Sequence, residues 1–170
     1  MRGTIGGHPG ENLTPVDVVE MAAAFGQMIK KSNPRPTIVI GRDGRISGDM
    51  VSHLCIQTLV AQGFTVYDAG FSTTPTIEMA VTKLKADAGI IITASHNPAQ
   101  WNALKFLNEK GEFISAAQGR ELIRIADEKQ YVFNEVHDLG KIIPAEGLIE
   151  HHIDAILRLP LVKQEVIRKK

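Results

Sequence analysis

The stretch that decides the fold is Ala88-Gly89-Ile90-Ile91-Ile92, followed at once by Thr93-Ala94-Ser95-His96-Asn97-Pro98. A continuous aliphatic run of this length is typical of a strand buried on both faces, as in a parallel sheet. The small polar residues and the proline behind it indicate a loop at the carboxyl end of that strand. Because open α/β sheets bind ligands at this edge, the hydroxyl of Ser95 is a candidate nucleophile.

The segments around this run alternate between strand and helix patterns. The alternation predicts right-handed crossovers and an α/β fold, with a mostly parallel, mixed β-sheet between helices. The predicted strands are a short one at Arg2, then Thr37–Ile40, Phe64–Tyr67 and Ala88–Ile92; the predicted helices open at Thr14-Pro15, Ser47, Thr74-Pro75 and Ser115.

Two helix starts carry capping signals. Thr14, with Asp17 three residues later, predicts a capping box in front of the first helix. Ser47 is the predicted cap of the second helix, and Gly63 is the residue expected to end it.

The carboxyl-terminal part of the chain changes character twice. The turn 108–111 lies between Ala103–Leu107 and Glu112–Ile114, which predicts a hairpin-like pair and one antiparallel strand. Beyond Gln130 the periodicity is lost, so we expect one domain over residues 1–130. Residues 131–170 are expected to form a connector, with an amphipathic helix at 148–157 leading toward a second domain that is absent.

Composition limits the classes of function. Of the 170 residues, 44% are hydrophobic, which is enough for a core, and 19 basic residues balance 19 acidic ones. This balance does not favour nucleic-acid or membrane partners. The single cysteine, Cys55, is expected to be a buried apolar residue, and with no signal peptide or membrane span in the sequence we expect a cytoplasmic protein.

A second polar loop follows the predicted strand Thr37–Ile40. It contains Arg42, Asp43 and Arg45, and parallel strands would bring it to the same sheet edge as Ser95. Arginine side chains and helix amino termini both bind phosphate oxygens. The alternative interpretation is a surface turn in which Asp43 pairs with a neighbouring arginine.

Four motifs together resemble the α-D-phosphohexomutases, the phosphoglucomutase and phosphomannomutase superfamily. The Ser95 loop resembles their active-site loop, and the Arg42 loop resembles their Gly-Arg-Asp-x-Arg-x-Ser segment. Asn102-Ala103-Leu104-Lys105 resembles their Asn-Gly-x-Lys, with Ala103 in place of glycine. Arg2-Gly3 resembles the end of an Ile-Arg-Gly signature, so Met1 is expected to be an added or internal start and Arg2 to be weakly anchored. Without the other motifs, Lys105 would be a solvated surface lysine and Ser95-His96-Asn97 an ordinary turn.

The resemblance implies a role for each matching residue. Ser95, Lys105 and Arg2 are the implied catalytic residues; His96, Asn97, Arg42, Asp43 and Arg45 are implied to support the loop and surround the phosphate. A Ser-His-Asp hydrolase is a poorer interpretation, because adjacent Ser95 and His96 do not readily share the required hydrogen bond. His151 and His152 point in different directions on a helix, which makes a zinc site improbable.

The implied activity is that of an isomerase, an intramolecular phosphotransferase. Phosphorylated Ser95 would pass its phosphoryl group between the 1 and 6 positions of a hexose phosphate through a hexose 1,6-bisphosphate. The implied Mg²⁺ takes one ligand from the phosphate on Ser95, and its other ligands come from an Asp-rich loop in a second domain that this sequence lacks. We therefore expect an N-terminal fragment, inactive alone, whose partners are the remaining domains and the sugar phosphate.

The alternative is a non-catalytic, stand-alone module that binds phosphate or a partner protein. The amphipathic helix at 148–157 would then be its docking surface. The motifs do not choose between glucose, mannose and glucosamine phosphates, because the loop that decides sugar specificity in the family is not in the sequence.

Overall fold

The aliphatic run Ala88–Ile92 forms a central strand of a six-stranded sheet. The computed structural model describes residues 1–167. The strands are β1 (Arg2–Thr4), β2 (Thr37–Arg42), β3 (Thr65–Phe71), β4 (Ala88–Ile92), β5 (Trp101–Leu107) and β6 (Lys141–Pro144). The helices are α1 (Pro15–Lys30), α2 (Gly48–Ala61), α3 (Thr74–Leu84), α4 (Ala116–Asp127), α5 (Leu148–Leu157) and α6 (Gln164–Ile167), with one 3-10 turn at Val136–Asp138.

The order of the strands across the sheet is β1-β5-β4-β2-β3-β6. β2 pairs in parallel with both β3 and β4, and β3 pairs in parallel with β6. β5 runs antiparallel to β4 and β1 runs antiparallel to β5. The mixed, mostly parallel α/β sheet expected from the sequence is confirmed, including one antiparallel strand after the serine loop.

Helices cover both faces of the sheet, which is why its central strand has no polar side chain. One core lies between the sheet and α1, α2 and α4, and it contains Phe25, Cys55, Ile90 and Phe106. The opposite core lies under α3 and α5, where Ile91 packs with Ile77 and Leu148. Ile90 and Ile91 therefore face opposite layers, as the two-residue period of a strand requires.

Cys55 lies fully buried in α2, as expected. Burial raises the pKa of the Cys55 thiol, so this side chain packs as a small apolar group. Within residues 1–167, no helix is both long enough and apolar enough to cross a membrane.

The two predicted caps behave differently. Thr14 and Asp17 form the expected capping box at the start of α1. Ser47 occupies the N-cap position of α2, but its backbone is helical (φ −76°, ψ −7°) rather than extended and its hydroxyl makes no capping bond. This hydroxyl accepts a hydrogen bond from the Asn102 amide. Gly63 follows the end of α2 with φ at 87°, in the left-handed conformation that glycine adopts without a steric cost.

Two strand predictions differ from the structure. Glu112–Ile114 forms no strand: its antiparallel pairing is limited to one bridge, between Leu107 and Phe113, before α4 begins. The segment expected to be a plain connector contains β6, which extends the sheet beyond β3.

The helix predicted at 148–157 is present as α5, and it packs on α3. The location of the domain boundary at residue 130 stays a prediction, and residues 168–170 of the predicted connector lie outside the described residues.

Candidate active site

Three chain segments meet at the carboxyl edge of the sheet. β2 and β4 both end there, with Arg42 level with Ile92, and the antiparallel β5 begins there. The backbone N–H of Asp43 donates to the carbonyl of Ile92 at 3.0 Å, which joins the loop after β2 to the loop after β4. The sequence-based expectation that these loops share one edge is met.

Ser95 lies in a tight turn with an unusual backbone. The N–H of Asn97 donates to the carbonyl of Ala94 at 3.1 Å, and φ of Ser95 is 54°. A buried residue also holds the turn, since the N–H of Ser95 donates to the hydroxyl of Thr93 at 3.0 Å. A positive φ costs a non-glycine residue about 1–2 kcal/mol. The turn thereby keeps Ser95 exposed at the edge of the sheet.

The side chain of Arg45 holds this turn in place. Its guanidinium donates four hydrogen bonds to backbone carbonyls of the segment that contains Ser95. The acceptors are the carbonyl oxygens of Ser95 (2.7 Å), Asn97 (2.8 Å), Pro98 (2.8 Å) and Trp101 (2.9 Å). A planar guanidinium presents its donors in a fixed fork, so one side chain fixes the shape of the whole loop.

Of the other charged residues of this loop, Asp43 contacts Arg45 within the loop and Arg42 contacts residues of α2 and β3. Asp43 accepts the backbone N–H of Arg45 at 3.0 Å, and its carboxylate lies 3.4 Å from Arg45 Nε. Arg42 pairs with Asp49 at 3.0 Å and stacks 4.2 Å from the ring centroid of Phe71. The pairing of Asp43 with a neighbouring arginine, which the surface-turn interpretation required, therefore coexists with support of the Ser95 loop by Arg45.

An open cleft of about 510 Å³ lies beside Ser95. Its lining brings together Arg2, Ser95, His96 and Lys105, so all three implied catalytic residues border one cavity. Two of these residues are cations, and the described lining contains no carboxylate. A cleft of this kind favours an anionic group beside the hydroxyl of Ser95.

Arg2 is better anchored than the sequence indicated. β1 pairs Arg2 with Ala103, and the Arg2 guanidinium donates to the side-chain oxygen of Asn97 at 2.9 Å. The expectation of a weakly held Arg2 is wrong, because strand pairing fixes its backbone and Asn97 fixes its side chain.

The side chains of His96 and Lys105 make no hydrogen bond or ion pair to the described part of the chain. The imidazole of His96 is exposed. Lys105 is half-buried, with its Nζ 5.9 Å from the ring centroid of Phe113. In this structure Arg45, rather than His96, makes the contacts that hold the Ser95 turn.

Sequence reasoning missed two residues of the site, Thr93 as the anchor of the turn and Asn102 as the partner of Ser47. Thr93 was within the quoted motif, but nothing in its residue type shows that its hydroxyl accepts the N–H of Ser95. In the sequence, Asn102 is part of the lysine motif. A polar residue inside the apolar stretch 101–107 was the signal that pointed to a buried hydrogen bond.

Together, the sheet order and the serine loop define an α/β domain with a cationic, carboxyl-edge cleft. The family model described as "Phosphoglucomutase/phosphomannomutase, alpha/beta/alpha domain I" matches residues 1–132. The chain belongs to this family, as the resemblance indicated.

Similar proteins agree with this assignment. A phosphoglucomutase/phosphomannomutase of Thermococcus kodakarensis is 35% identical over 174 residues, which cover 99% of this chain and 37% of that protein. A phosphoglucosamine mutase of Deinococcus deserti is 38% identical over 68% of this chain and 26% of its own length.

Solved structures show the same fold. A phosphoglucomutase/phosphomannomutase family protein from Burkholderia thailandensis has a TM-score of 0.77 at 24% identity, over 92% of this chain and 34% of that chain. A putative phosphomannomutase from Thermus thermophilus has a TM-score of 0.74 at 25% identity, over 94% and 35%. The chain therefore spans between 26% and 37% of the length of these relatives.

Proposed function

We propose that this chain is the N-terminal α/β part of a phosphohexomutase and that Ser95 carries the transferred phosphoryl group. The supporting observation is the exposed Ser95 turn, fixed by Arg45 and bordering a cleft with Arg2 and Lys105. The relatives' names point to glucose, mannose and glucosamine phosphates as the substrate class. The alternative of a stand-alone binding module is not favoured by these relatives.

The proposed reaction moves one phosphoryl group without net oxidation or hydrolysis. The bond between phosphorus and the Ser95 oxygen breaks while a hydroxyl of the hexose monophosphate attacks, giving a hexose 1,6-bisphosphate. The other phosphate of this intermediate then returns to Ser95. Such transfer depends on positioning and charge neutralisation more than on covalent chemistry by the protein.

The cations of the cleft have separate tasks in this scheme. Arg2, held by Asn97, would neutralise charge on the phosphoryl oxygens. Lys105, as a cation, would neutralise charge on the leaving Ser95 oxygen, and the proton released by the attacking hydroxyl would end on that oxygen to restore the serine hydroxyl. Arg45 has its four hydrogen bonds committed to backbone carbonyls, so its role is to keep the Ser95 oxygen in line with the acceptor.

Mg²⁺ is implied by the family, and this part of the chain does not form a cage for it. Within residues 1–167 no three His, Cys, Asp or Glu side chains lie close enough together to bind a metal ion. The phosphate oxygens on Ser95 would therefore supply one Mg²⁺ ligand, and the bound ion would neutralise charge on the transferred group. The remaining domains of a longer protein are the proposed partners that complete the site.

Intact-mass spectrometry tests the nucleophile assignment. In a protein that extends to the length of its relatives, incubation with glucose 1,6-bisphosphate should add the mass of one phosphoryl group, and Ser95→Ala should prevent the addition. A matched control is Ser115→Ala, a serine at the start of α4. Normal mutase turnover by the Ser95→Ala variant would contradict the assignment.

The isolated chain should show negligible mutase turnover. Electrostatic stabilisation from a metal site commonly lowers a barrier by roughly 3 kcal/mol or more, and residues 1–167 contain no group of side chains that could form one. Coupled assays with glucose 1-phosphate, mannose 1-phosphate and glucosamine 6-phosphate, at high protein and Mg²⁺ concentration, provide the measurement. Robust turnover by the chain alone would show that the groups in the cleft suffice.

A further inference from the structure

We infer that Asn102 is a positioning residue for Ser95: its buried amide fixes the loop whose Arg45 shapes the Ser95 turn. Asn102 is fully buried where β5 begins. Its Oδ1 accepts the N–H of Ala103 at 2.8 Å, and its Nδ2 donates to the hydroxyl of Ser47 at 2.9 Å. A backbone N–H is only a donor, so the first bond sets the orientation of the amide and aims Nδ2 at Ser47.

The Ser47 hydroxyl accepts from Asn102 and makes no capping bond to α2. A serine at the N-cap normally accepts a backbone N–H of the first helical turn, and here that bond is missing. The helical backbone of Ser47 accounts for the missing cap, and its hydroxyl connects the start of α2 to β5. The bond is long-range, since the two side chains are separated by 55 residues in sequence.

This bond fixes one end of the segment that carries Arg45. The other end is fixed where the N–H of Asp43 donates to the carbonyl of Ile92 at 3.0 Å. Between these two points, the Arg45 guanidinium reaches the carbonyls of Ser95 and of Trp101, the residue next to Asn102. The N–H groups of Gly48 and Val51 also donate to the carbonyls of Arg45 and Ser47, which holds this end to α2. Loss of the Asn102 contact therefore removes the side-chain link from this end of the Arg45 segment to β5.

The same strand also carries Lys105, three residues after Asn102. The buried amide of Asn102 thus fixes the position of the Ser95 loop relative to β5, the strand that carries Lys105. As a contribution to catalysis, this inference rests on the proposed function. As a statement about the Ser95 turn, it is testable without any activity.

The experiment is amide hydrogen exchange by NMR on the chain, with the N–H groups of Ser95 and Asn97 as reporters. Both are hydrogen-bonded inside the turn, at 3.0 and 3.1 Å. The N–H of Ile91, in the centre of β4, reports global unfolding. Asn102→Ala should accelerate exchange at both turn amides about five- to tenfold more than at Ile91, as expected for the loss of one ordinary hydrogen bond.

Asn33→Ala is the matched control. The amide of Asn33 also donates to a side chain, that of Asp87, and accepts a backbone N–H, that of Arg35, but it lies before β2 at the opposite sheet edge. This variant should leave the ratio of turn exchange to Ile91 exchange unchanged. Equal acceleration at all three amides in Asn102→Ala would show a merely structural role and overturn the inference.

Ser47→Ala keeps the inference testable if Asn102→Ala fails to fold. Ser47→Ala should accelerate amide exchange at Ser95 and Asn97 in the same way. In the double variant this acceleration should be no larger than in the more affected single variant. Unchanged turn exchange in Ser47→Ala would also overturn the inference. A loosened turn together with a Ser95 that takes up no phosphoryl group would instead leave the positioning intact and contradict the proposed function.

Discussion

At the scale of single residues, the site combines a strained backbone with a rigid support. Ser95 has φ at 54°, and four hydrogen bonds from Arg45 hold the segment that contains it. Strain of this kind persists only where the surroundings over-determine the conformation. The hydrogen bonds of Arg45, and the contacts of Asp43 that hold Arg45, therefore stabilise the conformation in which Ser95 is exposed.

The strain at Ser95 predicts an order of stability among its variants. Ser95→Ala removes an exposed hydroxyl and should change the free energy of unfolding by less than about 0.5 kcal/mol. Ser95→Gly removes the steric cost of the positive φ and should be about 1 kcal/mol more stable than Ser95→Ala. Urea unfolding measures both.

Ala99→Gly is the control for this comparison, since Ala99 is exposed in the same loop but its φ is not positive. It should lower stability by about 0.5 kcal/mol through the entropy of the unfolded chain. If Ser95→Gly were no more stable than Ser95→Ala, the left-handed conformation of Ser95 would be contradicted.

Arg45 should not tolerate lysine. A lysine keeps the charge but lacks the planar fork that reaches four carbonyls, so Arg45→Lys should lower the free energy of unfolding by about 2 kcal/mol. Arg42→Lys, whose partner Asp49 is exposed, should cost less than about 1 kcal/mol. Urea denaturation compares the two variants. Equal losses would mean that Arg45 has no special hold on the Ser95 loop.

At the scale of elements, the start of α1 shows how a short motif is stabilised electrostatically. Burial alone would raise the pKa of Asp17, but hydrogen bonds from the Thr14 hydroxyl and from the N–H groups of Gly10 and Thr14 outweigh it and lower this pKa. The folded state therefore binds this proton more weakly than the unfolded chain. Stability from Asp17 is present above the ordinary carboxyl pKa of about 4 and is lost as the pH falls below it.

Asp17→Asn tests this sign. At pH 7 the variant should be about 1–2 kcal/mol less stable than the wild type, because an amide replaces an anionic acceptor of several donors. The difference should shrink when urea unfolding is repeated near pH 3. Asp127→Asn, at an exposed carboxylate in α4, should change stability little at either pH. A difference in the free energy of unfolding between Asp17→Asn and the wild type that increased at low pH would contradict the lowered pKa of Asp17.

The elements also show which signals a sequence carries. Apolar runs such as Ala88–Ile92 and the Thr14 capping box were predictable because they depend on local burial and local hydrogen bonds. β6 was not, because its four residues, Lys141–Pro144, follow Gly140 and end in a proline at the sheet edge, with no clear alternation. The sequence predicts Ser47 as a helix cap, and only the fold shows that its hydroxyl accepts a hydrogen bond from Asn102. The positive φ of Ser95 has no residue-type signature either.

At the scale of the whole molecule, the sheet continues beyond the residues that match the family model. β6 pairs with β3 over four residues, and Gly140 donates its N–H to the carbonyl of Val60 at 2.8 Å. Gly140 passes so close to Phe64 that any Cβ would meet its carbonyl oxygen. α5 then buries Leu148 against α3, and His152 bonds to Thr76 at 2.8 Å. Residues 141–157 are thus packed onto the same sheet as the serine loop.

Truncation tests whether residue 130 is an energetic boundary. A chain ending at Gln130 loses the β6 pairing and the burial of Leu148, and these together should cost about 3–5 kcal/mol. A chain ending at Pro160 keeps both and should match the full chain within about 1 kcal/mol. Urea unfolding of the two truncated chains and the full chain gives the comparison. β6 lies at the edge of the sheet opposite to β1 and β5, and α5 follows it. In the truncated chain, the amides of the Ser95 turn should therefore lose protection from hydrogen exchange only through global unfolding. A 1–130 chain as stable as the full chain would instead make residue 130 the end of the folding unit, with β6 and α5 as dispensable additions.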